Sequence, residues 1–318
     1  MLRIALIGCG AHSGSEHAGP LARIARDQPG RIELAAACDR QRDRAEAFCA
    51  RYGFKAAFDD VDEMLRRVQP DACAAIVPIA AILEVSTRLL EAGIPCIIEK
   101  PLGESLAQAW QLAEVARCTG VVHQVSVNRR FIPYLNEAVG FCREAGPVHF
   151  LRATQARHRR AEPEFIWGTG IHAIDALRHL AGEVREVRTA RFCQPAMQSA
   201  WYELSLRFAD GARGCLHALP TTGVHVERYE LFAGERAAAV DLIGARQHRL
   251  QCWQGGELVV DRQPDEDEPP EVRSGAYDEH VAFVEAVERG RAGRPTVDEV
   301  IDSMRIGLEA LEAQEHWL

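Results

Sequence analysis

The sequence predicts an α/β protein in which a doubly wound parallel sheet is followed by an α+β domain built on a largely antiparallel open sheet. Up to about residue 127, short apolar strands alternate with amphipathic helices, a pattern typical of parallel sheets covered on both faces. Beyond residue 131, strands with polar alternation follow one another, and turn signals such as Ala209-Asp210-Gly211 separate some of them. We therefore expect two domains, at residues 1–124 and 125–318.

Composition argues against several classes of function. The net charge of −9 argues against general nucleic-acid binding, which requires a basic surface. No apolar run approaches the length of a membrane span, and the chain enters its first strand at once, so we expect no membrane partner and a cytoplasmic location. The ten cysteines occur singly, with no C-x-x-C pair and no histidine at metal-binding spacing. The spacing predicts reduced cysteines and no metal site.

A glycine-rich turn follows the first strand, which spans residues 2–7. The turn is Gly8-Cys9-Gly10-Ala11-His12-Ser13, and an amphipathic helix follows it. This order is typical of dinucleotide binding, because Gly8 permits a tight turn and Gly10 lets the backbone approach a pyrophosphate. Ser13 replaces the third glycine of the pattern but is still small; the alternative is an ordinary tight turn. The predicted cofactor contacts in this loop are Gly8, Gly10, Ala11, His12 and Ser13.

The second strand, at residues 32–38, ends at an acidic residue. Asp39 can accept hydrogen bonds from both hydroxyls of an adenosine ribose and would repel a 2′-phosphate, which favours NAD over NADP. Arg40 and Arg42 weaken this preference, since either could contact a phosphate if Asp39 turned aside. By default both arginines are solvated charges at the start of a helix.

The remaining elements of the first half continue the alternation. Strands are expected at 72–77, 94–98 and 121–127, and helices at 43–52, 61–68, 82–92 and 104–118. In this arrangement the glycine loop, Asp39, Pro78 and Lys100 all fall at carboxyl ends of strands. That edge is where ligands bind in open α/β sheets, which strengthens the prediction of a dinucleotide site.

The segment Glu99-Lys100-Pro101 ends a strand that reads as buried on both faces. Lys100 therefore stands at the carboxyl edge of the sheet, and Pro101 stops the strand because it has no N–H to give. We interpret the segment as part of a ligand site. The alternative is a surface ion pair at the end of a strand.

The second half is predicted to be mostly sheet. A helix at 134–144 is followed by strands at 148–156, 184–192, 201–208, 214–218, 228–233, 237–242 and 248–253. Residues 264–270 are acidic and proline-rich and are expected to form an exposed loop. Two further helices are expected at 278–289 and at 296 to about 316, with Thr296 as the N-cap of the last one.

One helix of the second half, at 168–177, carries candidate chemistry. His172 and Asp175 are three residues apart and share a helix face. They can act as an acid/base group and its partner. The alternative is structural, with His172 packing or capping and Asp175 paired to Arg178 or Arg185.

Together these motifs resemble the Gfo/Idh/MocA oxidoreductases. The resemblance rests on the glycine loop, Glu99-Lys100-Pro101, Asn128-Arg129-Arg130-Phe131 and His172-x-x-Asp175. It implies an N-terminal Rossmann domain, a C-terminal domain whose open sheet forms a homodimer or homotetramer, and NAD(P)-linked chemistry at a hydroxyl of a sugar, cyclitol or sugar derivative. It also implies that Lys100 and His172 are catalytic, and that the cofactor site extends to Pro78, Glu99, Lys100, Asn128 and Arg129.

Two departures from the family pattern affect the expected chemistry. Gly168 stands where members commonly have an aspartate four residues before the histidine. Apolar residues replace most of the usual polar set after the fourth strand, namely Val77, Ile79 and Ile82 around Pro78. We assign His172 as the acid/base and Lys100 as hydrogen-bond donor to the substrate oxygen, with exchangeable roles, and Asp175 as orienting His172 or holding a neighbouring hydroxyl. The alternatives are an NAD-dependent glycosidase of the same family and a non-catalytic protein that senses NAD or a sugar.

A basic cluster in this acidic chain suggests an anionic substrate. Its residues are Arg152, Arg157, His158, Arg159 and Arg160. Guanidinium groups recognise carboxylates and phosphates through paired hydrogen bonds, so we expect a uronate, a sugar phosphate or a nucleotide sugar, with Arg157 among the contacts. The alternative is an oligomer interface or a solvated rim.

Overall fold

The computed structural model describes residues 1–243 and 247–317, and it divides the chain into two compact units. The first unit comprises Met1–Val127 and Ala276–Ile301. The second unit comprises Asn128–Gly275 and Asp302–Leu318. The predicted single boundary near residue 124 therefore needs correction, because a segment close to the C-terminus returns to the first unit.

A six-stranded parallel sheet forms the centre of the first unit, as predicted. In chain order its strands are β1 Leu2–Ile7, β2 Ile32–Cys38, β3 Ala56–Phe58, β4 Ala72–Ala75, β5 Cys96–Glu99 and β6 His123–Ser126. Their order across the sheet is β3-β2-β1-β4-β5-β6, and every neighbouring pair is parallel. The direction of winding reverses between β1 and β4, the kind of position where doubly wound sheets bind ligands.

The helices of the first unit begin and end close to the predicted positions. They span Ala11–Ser13, Gly14–Ala18 (a π-helix), Gly19–Asp27, Arg42–Tyr52, Val61–Val68, Ile79–Glu91, Leu106–Thr119 and Ala276–Arg289. Side-chain caps explain two of the starts, since Asp60 accepts the backbone N–H of Glu63 at 2.7 Å and Ser105 that of Gln108 at 3.3 Å. A last helix, Val297–Leu311, begins in the first unit and ends in the second.

The helix Ala276–Arg289 shows why the C-terminal segment belongs to the first unit. Phe283 and Val284 are buried in the same apolar cluster as Leu21 and Ile24 of the helix that follows the glycine loop. The apolar periodicity of 278–289 predicts a helix but carries no information about which sheet it covers. That assignment depends on packing between residues more than 250 positions apart.

A nine-stranded, largely antiparallel sheet forms the centre of the second unit, as predicted. Its strands are β7 Phe150–Ala156, β8 Val184–Gln194, β9 Ser199–Phe208, β10 Arg213–Leu219, β11 Val226–Ala233, β12 Arg236–Ile243, β13 Gln247–Gln254, β14 Glu257–Arg262 and β15 Glu315–Trp317. The pairs β7–β10 and β8–β15 are parallel and the others are antiparallel. The α-helices Pro133–Arg143, Ile171–Ala181 and Pro270–Arg273, the one-turn 3₁₀-helices Asn128–Phe131 and Pro195–Met197, and the π-helix Phe165–Thr169 complete the unit.

Three strands escaped prediction, and each has a physical reason. β3 has three residues, too few to show a period. β14 pairs along one side of β13 at the edge of the sheet, and its side chains are mostly exposed. The predicted helix 296–316 ends at Leu311, because Glu315–Trp317 joins the ladder of β8 instead. No helix in the described part of the chain is long and apolar enough to cross a lipid bilayer.

Candidate active site

The glycine loop after β1 has the geometry that dinucleotide binding requires. Gly8 has φ +95°, and a Cβ added there would lie 1.9 Å from the carbonyl oxygen of Ile76, so no other residue fits. A Cβ added at Gly10 would meet no atom within 4 Å, which leaves the backbone open to a close approach by a ligand. Ala11 and His12 begin the helix directly after it, so backbone N–H groups are available for a phosphate.

The close-packing role of the third glycine lies one position later than predicted. Ser13 is buried, but a Cβ added at Gly14 would lie 2.4 Å from the hydroxyl oxygen of Tyr52. Gly14 begins the π-helix Gly14–Ala18. The glycines of the loop therefore follow the pattern G-x-G-x-x-x-G, with Ser13 directly before the third glycine.

Asp39 lies directly after β2 and is held by the glycine loop. Its carboxylate accepts the backbone N–H of Cys9 at 3.0 Å and that of Gln41 at 2.9 Å, and its side chain is 11% exposed. Arg44, which the sequence analysis did not single out, lies 3.6 Å from the same carboxylate. The negative charge is thus held in place where the ribose was predicted.

Of the two arginines that could have reversed the cofactor preference, one is engaged elsewhere. Arg42 donates to Glu46 at 3.0 Å and lies 3.8 Å from Asp59. Arg40 is exposed. The carboxylate of Asp39 is therefore held by two backbone N–H groups, and the arginines at positions 40, 42 and 44 are exposed to solvent.

Glu99, the last residue of β5, is linked to the helical turns after the glycine loop by two histidines. Nε2 of His12 and Nε2 of His17 each lie 3.1 Å from its Oε1. Burial opposes ionisation of this carboxyl, but the hydrogen bonds from both histidines and the charge of Lys100 outweigh it and hold the pKa of Glu99 well below its ordinary value. A buried carboxylate thus connects the predicted motif at 99–101 to the glycine loop.

Lys100 follows Glu99 at the carboxyl edge of the sheet, as the strand pattern predicted. Its peptide bond to Pro101 is cis, and its side chain is half-buried. After the neighbouring strand β4, Pro78 occupies the N-cap position of the helix Ile79–Glu91, and Ile82 on that helix is buried. This part of the edge is apolar, as the substitutions at 77–82 predict.

In the second unit, His172 and Asp175 lie on the helix Ile171–Ala181 but differ in access to solvent. His172 is half-buried, whereas Asp175 is completely buried. Asp175 accepts two hydrogen bonds from Arg130, at 2.7 and 2.8 Å, and one from Ser303 at 2.8 Å. Arg178, the partner predicted from spacing, is 4.0 Å away.

This arrangement corrects one part of the prediction for Asp175. A completely buried carboxylate cannot hold a substrate hydroxyl, so the direct contact is not supported. The bidentate pair instead joins the Asn128–Phe131 turn to the helix that carries His172. Asp175 can still position His172 through that helix.

Arg129 and Arg157 converge on one buried carboxylate, that of Glu227. Arg129 donates to it at 3.0 Å with two nitrogens, Arg157 donates to the same group, and the hydroxyl of Tyr229 donates at 2.8 Å. Burial opposes ionisation, but the two guanidinium groups outweigh it and lower the pKa of Glu227 far below its ordinary value. Arg129 also donates to the side-chain oxygen of Asn128 at 2.8 Å.

This network argues against the predicted substrate contact of Arg157. Its side chain is buried and also donates to the carbonyl oxygens of Ala156 and Val226. Its charge therefore balances Glu227 instead of facing solvent. Asn128 and Arg129 lie in the same network, and their predicted cofactor contacts stay predictions.

The rest of the basic cluster separates into paired and cavity-lining residues. Arg152 donates to Glu230 at 2.9 Å on the sheet surface, and Arg160 pairs with Glu162. His158 and Arg159 instead line a cavity of about 650 Å³ whose wall includes Met197, Trp201 and Thr221.

Comparison with known proteins identifies the family. Residues 2–128 match the model of GFO_IDH_MocA, described as an oxidoreductase family with an NAD-binding Rossmann fold. This region therefore belongs to the Gfo/Idh/MocA oxidoreductases. The resemblance read from the motifs is confirmed there, and the matched residues include the glycine loop, Asp39 and Glu99-Lys100.

Proteins similar to this chain include sugar dehydrogenases. D-glucoside 3-dehydrogenase of Escherichia coli K12 is 32% identical over 199 residues, which are 57% of this chain and 54% of the relative. UDP-N-acetylglucosamine 3-dehydrogenase of Acidithiobacillus ferrooxidans is 28% identical over 257 residues, which are 78% of this chain and 76% of that relative. The dehydrogenase MviM of Clostridium difficile shares the fold, with a TM-score of 0.86 at 18% identity over 98% and 99% of the two chains. This chain thus spans about half the length of the first of these relatives.

Several site residues were missed by sequence reasoning. His17, Gly14 and Arg44 gave no local signal, since their partners Glu99, Tyr52 and Asp39 are 5 to 82 positions away along the chain. Glu227, in contrast, could have been found from the sequence, because alternation along β11 places it on the same side as the buried Tyr229 and Leu231. A charged residue at an inward position is rarely buried without a partner, so that pattern predicts an ion pair.

Proposed function

We propose that this protein is an NAD-linked dehydrogenase or reductase that acts on a hydroxyl-bearing carbon of a sugar, cyclitol or sugar derivative. The observation that carries this proposal is the position of Lys100, directly after a carboxylate that is hydrogen-bonded to the helical turns of the glycine loop. The chain contains 37 lysines and arginines together, and only Lys55 and Lys100 are lysines. Arginine cannot give up its proton, so a lysine at this edge supports proton transfer.

The residues present fit a nicotinamide dinucleotide. The backbone around Gly10 is open to a pyrophosphate, and Asp39 presents a fixed carboxylate for the hydroxyls of an adenosine ribose. When bound, the cofactor supplies hydride exchange with the substrate carbon. NAD is the proposed form, because the carboxylate of Asp39 would repel a 2′-phosphate.

Protein side chains must then handle the hydroxyl proton. We assign His172 as the acid/base that takes or returns this proton, and Lys100 Nζ as the donor that holds the substrate oxygen, with exchangeable roles. Asp175 is a positioning residue in this scheme, since it lies on the buried side of the helix Ile171–Ala181 and accepts hydrogen bonds from Arg130 and Ser303.

The relatives and the cavity in the second unit support a class of substrate. The relatives named above act on a glucoside and on a UDP-sugar. Arg159 lines a cavity together with Trp201, so a cation and an aromatic face are available to the same ligand. An anionic sugar derivative agrees with the substrates named for the relatives and with the side chains of the cavity. In this proposal Arg159, and not Arg157, is the arginine that contacts the substrate.

A substrate screen with cofactor tests the activity. Neutral sugars, polyols, uronates, sugar phosphates and nucleotide sugars are each mixed with NAD⁺, and NADH absorbance is followed. Lys100→Met and His172→Ala should each lower turnover by about 10²- to 10⁴-fold, the range for a general acid–base group. Lys55→Met is the matched control, because Lys55 is exposed and pairs with Glu33 at 2.8 Å.

Three results would contradict the proposal. Turnover by Lys100→Met within a few fold of wild type would refute its assignment. Substrate cleavage without net NADH release would indicate a glycosidase, and cofactor binding without turnover of any compound would indicate a sensor.

A salt series tests the anionic substrate separately. For the best substrate, KM should rise with ionic strength in the wild type and more weakly in Arg159→Ala, because exposed charge attraction is screened. Arg66→Ala, an exposed arginine of the first unit, is the control. A KM that ignores both salt and Arg159→Ala would show that the cluster does not bind substrate.

A further inference from the structure

Three side chains of the first unit bring together a set of metal-ligating atoms. Nε2 of His12 and Nε2 of His17 each lie 3.1 Å from Oε1 of Glu99, and all three atoms lie within 4.8 Å of one another. His17 and Glu99 are buried, whereas the side chain of His12 is 54% exposed. The group thus has an interior part and one member at the surface.

The spacing of these atoms matches a four-coordinate zinc site. Zinc binds histidine nitrogen and carboxylate oxygen at about 2.0–2.2 Å in tetrahedral geometry, which places neighbouring ligand atoms about 3.3 Å apart. The two contacts at 3.1 Å to Glu99 are within about 0.2 Å of that value. Binding would therefore require little movement of the two buried ligands.

A second layer of hydrogen bonds orients the buried histidine. Nδ1 of His280 lies 2.8 Å from the carbonyl oxygen of Ala276, and a carbonyl only accepts, so this nitrogen carries a hydrogen. In the neutral ring, Nε2 of His280 is then an acceptor, and Nδ1 of His17, 3.2 Å away, donates to it.

The contacts from Ala276 through His280 and His17 to Glu99 need three hydrogens, and two neutral imidazole rings carry two. The contact between Nε2 of His17 and Glu99 is therefore filled either by one further proton, which gives the hydrogen bond from His17 described above, or by a metal ion. Metal-binding histidines characteristically donate their other N–H to a fixed acceptor, as His17 does here.

We propose that His12, His17 and Glu99 form a site for one divalent transition-metal ion of the zinc class. Imidazole with one carboxylate suits Zn²⁺, Ni²⁺ or Cu²⁺, whereas Mg²⁺ and Ca²⁺ prefer all-oxygen sites. The exposed side of His12 leaves the fourth position to water. Spacing in the sequence predicted no metal site because Glu99 lies more than 80 positions from both histidines.

An occupied site would exclude the cofactor. His12 belongs to the glycine loop and Glu99 precedes Lys100, so the ion would occupy the edge assigned to the dinucleotide. This consequence rests on the proposed function, whereas metal binding itself does not. The site is then inhibitory: zinc and NAD⁺ compete for one protein.

Calorimetric titration of the full chain with Zn²⁺, and with Mg²⁺ for comparison, tests the site. The Cys118→Ser background removes the one exposed thiol among the cysteines, all ten of which are described. We expect one Zn²⁺ per chain, no comparable Mg²⁺ binding, and at least a tenfold loss of Zn²⁺ affinity in His12→Gln. His149→Gln, which removes an exposed histidine of the second unit, should bind Zn²⁺ as the background does.

Substitution by Co²⁺ provides an independent readout. The visible spectrum should be that of a nitrogen- and oxygen-ligated, four-coordinate ion, and it should be lost in Glu99→Gln. A thiolate-type spectrum, or Zn²⁺ affinity unchanged in His12→Gln, would overturn the proposal. Zn²⁺ should also raise the apparent Kd of NAD⁺. If the chain binds zinc at this site but does not bind NAD⁺, the proposed function fails and the metal site stands.

Discussion

Replacing Asp175 by alanine separates a structural role for this residue from a catalytic one. The carboxylate is completely buried and accepts hydrogen bonds from Arg130 at 2.7 and 2.8 Å and from Ser303 at 2.8 Å. Its removal leaves a guanidinium, 14% exposed, without this partner. The structure therefore predicts a large loss of stability in the second unit.

The magnitude follows from the buried ion pair. Breaking such a pair by removing one partner costs about 3–5 kcal/mol, and the loss of one buried hydrogen bond from Ser303 adds about 1 kcal/mol. Because Arg130 is partly exposed, breaking its ion pair should cost less than in a fully buried site. We therefore expect Asp175→Ala to lower the free energy of unfolding by about 3–4 kcal/mol in total. The double variant Arg130→Met/Asp175→Ala should lose at least about 1 kcal/mol less than the sum of its single variants, because no unpaired charge remains.

Urea unfolding followed by tryptophan fluorescence measures this loss. Four of the five tryptophans belong to the second unit, so the signal reports mainly on it. Asp267→Ala, in an exposed loop of the same unit, is the control and should stay within about 0.5 kcal/mol of wild type.

A loss below about 1 kcal/mol in Asp175→Ala would refute the structural reasoning. If turnover then fell by a factor of 100 or more, the direct catalytic role inferred from the His172-x-x-Asp175 spacing would be restored.

Three further predictions address the remaining features. NAD⁺ should bind more tightly than NADP⁺, and Asp39→Ser should reduce the difference in a fluorescence titration; equal binding by the wild type would contradict this role. Gly8→Ala should lower the melting temperature far more than Gly30→Ala, because both have positive φ but only Gly8 faces a carbonyl oxygen at 1.9 Å; similar shifts would contradict the steric argument. Because the folded-state pKa of Glu227 is lowered, its contribution to stability is present above its unfolded pKa of about 4.3 and is lost as pH falls below that value. Glu227→Gln should therefore be less stable at pH 7 and lose less on acidification; parallel pH curves would argue against the ion pair.

Local patterns determined much of the first unit. The strand Ile32–Cys38 and the helix Val61–Val68 have the predicted limits, because an almost continuous apolar run marks the strand, an apolar period marks the helix, and an acidic residue stands at a boundary of each. The glycine turn, Asp39 and Lys100 likewise lie at the predicted edge, since strand ends in a parallel sheet follow from the order of the elements. These properties depend on neighbours within a few residues.

Tertiary structure decided which charged groups meet. Asp175 pairs with Arg130, 45 positions away, although two arginines lie within ten residues of it on its C-terminal side. Arg157 is buried against Glu227, 70 positions away, although its neighbours at 158–160 are exposed. A long side chain can reach several partners, and the packed core determines which of them is close enough and desolvated enough to pair.

Tertiary structure also decided the histidine–glutamate cluster and the unit to which the C-terminal segment belongs. His17 and Glu99 come from different elements of one sheet edge, and His280 reaches them only because its helix packs on the first unit. A sequence specifies helices and strands through short-range periodicity and turn chemistry. Contacts between distant elements depend on the complementarity of whole surfaces, which no single stretch of the chain contains.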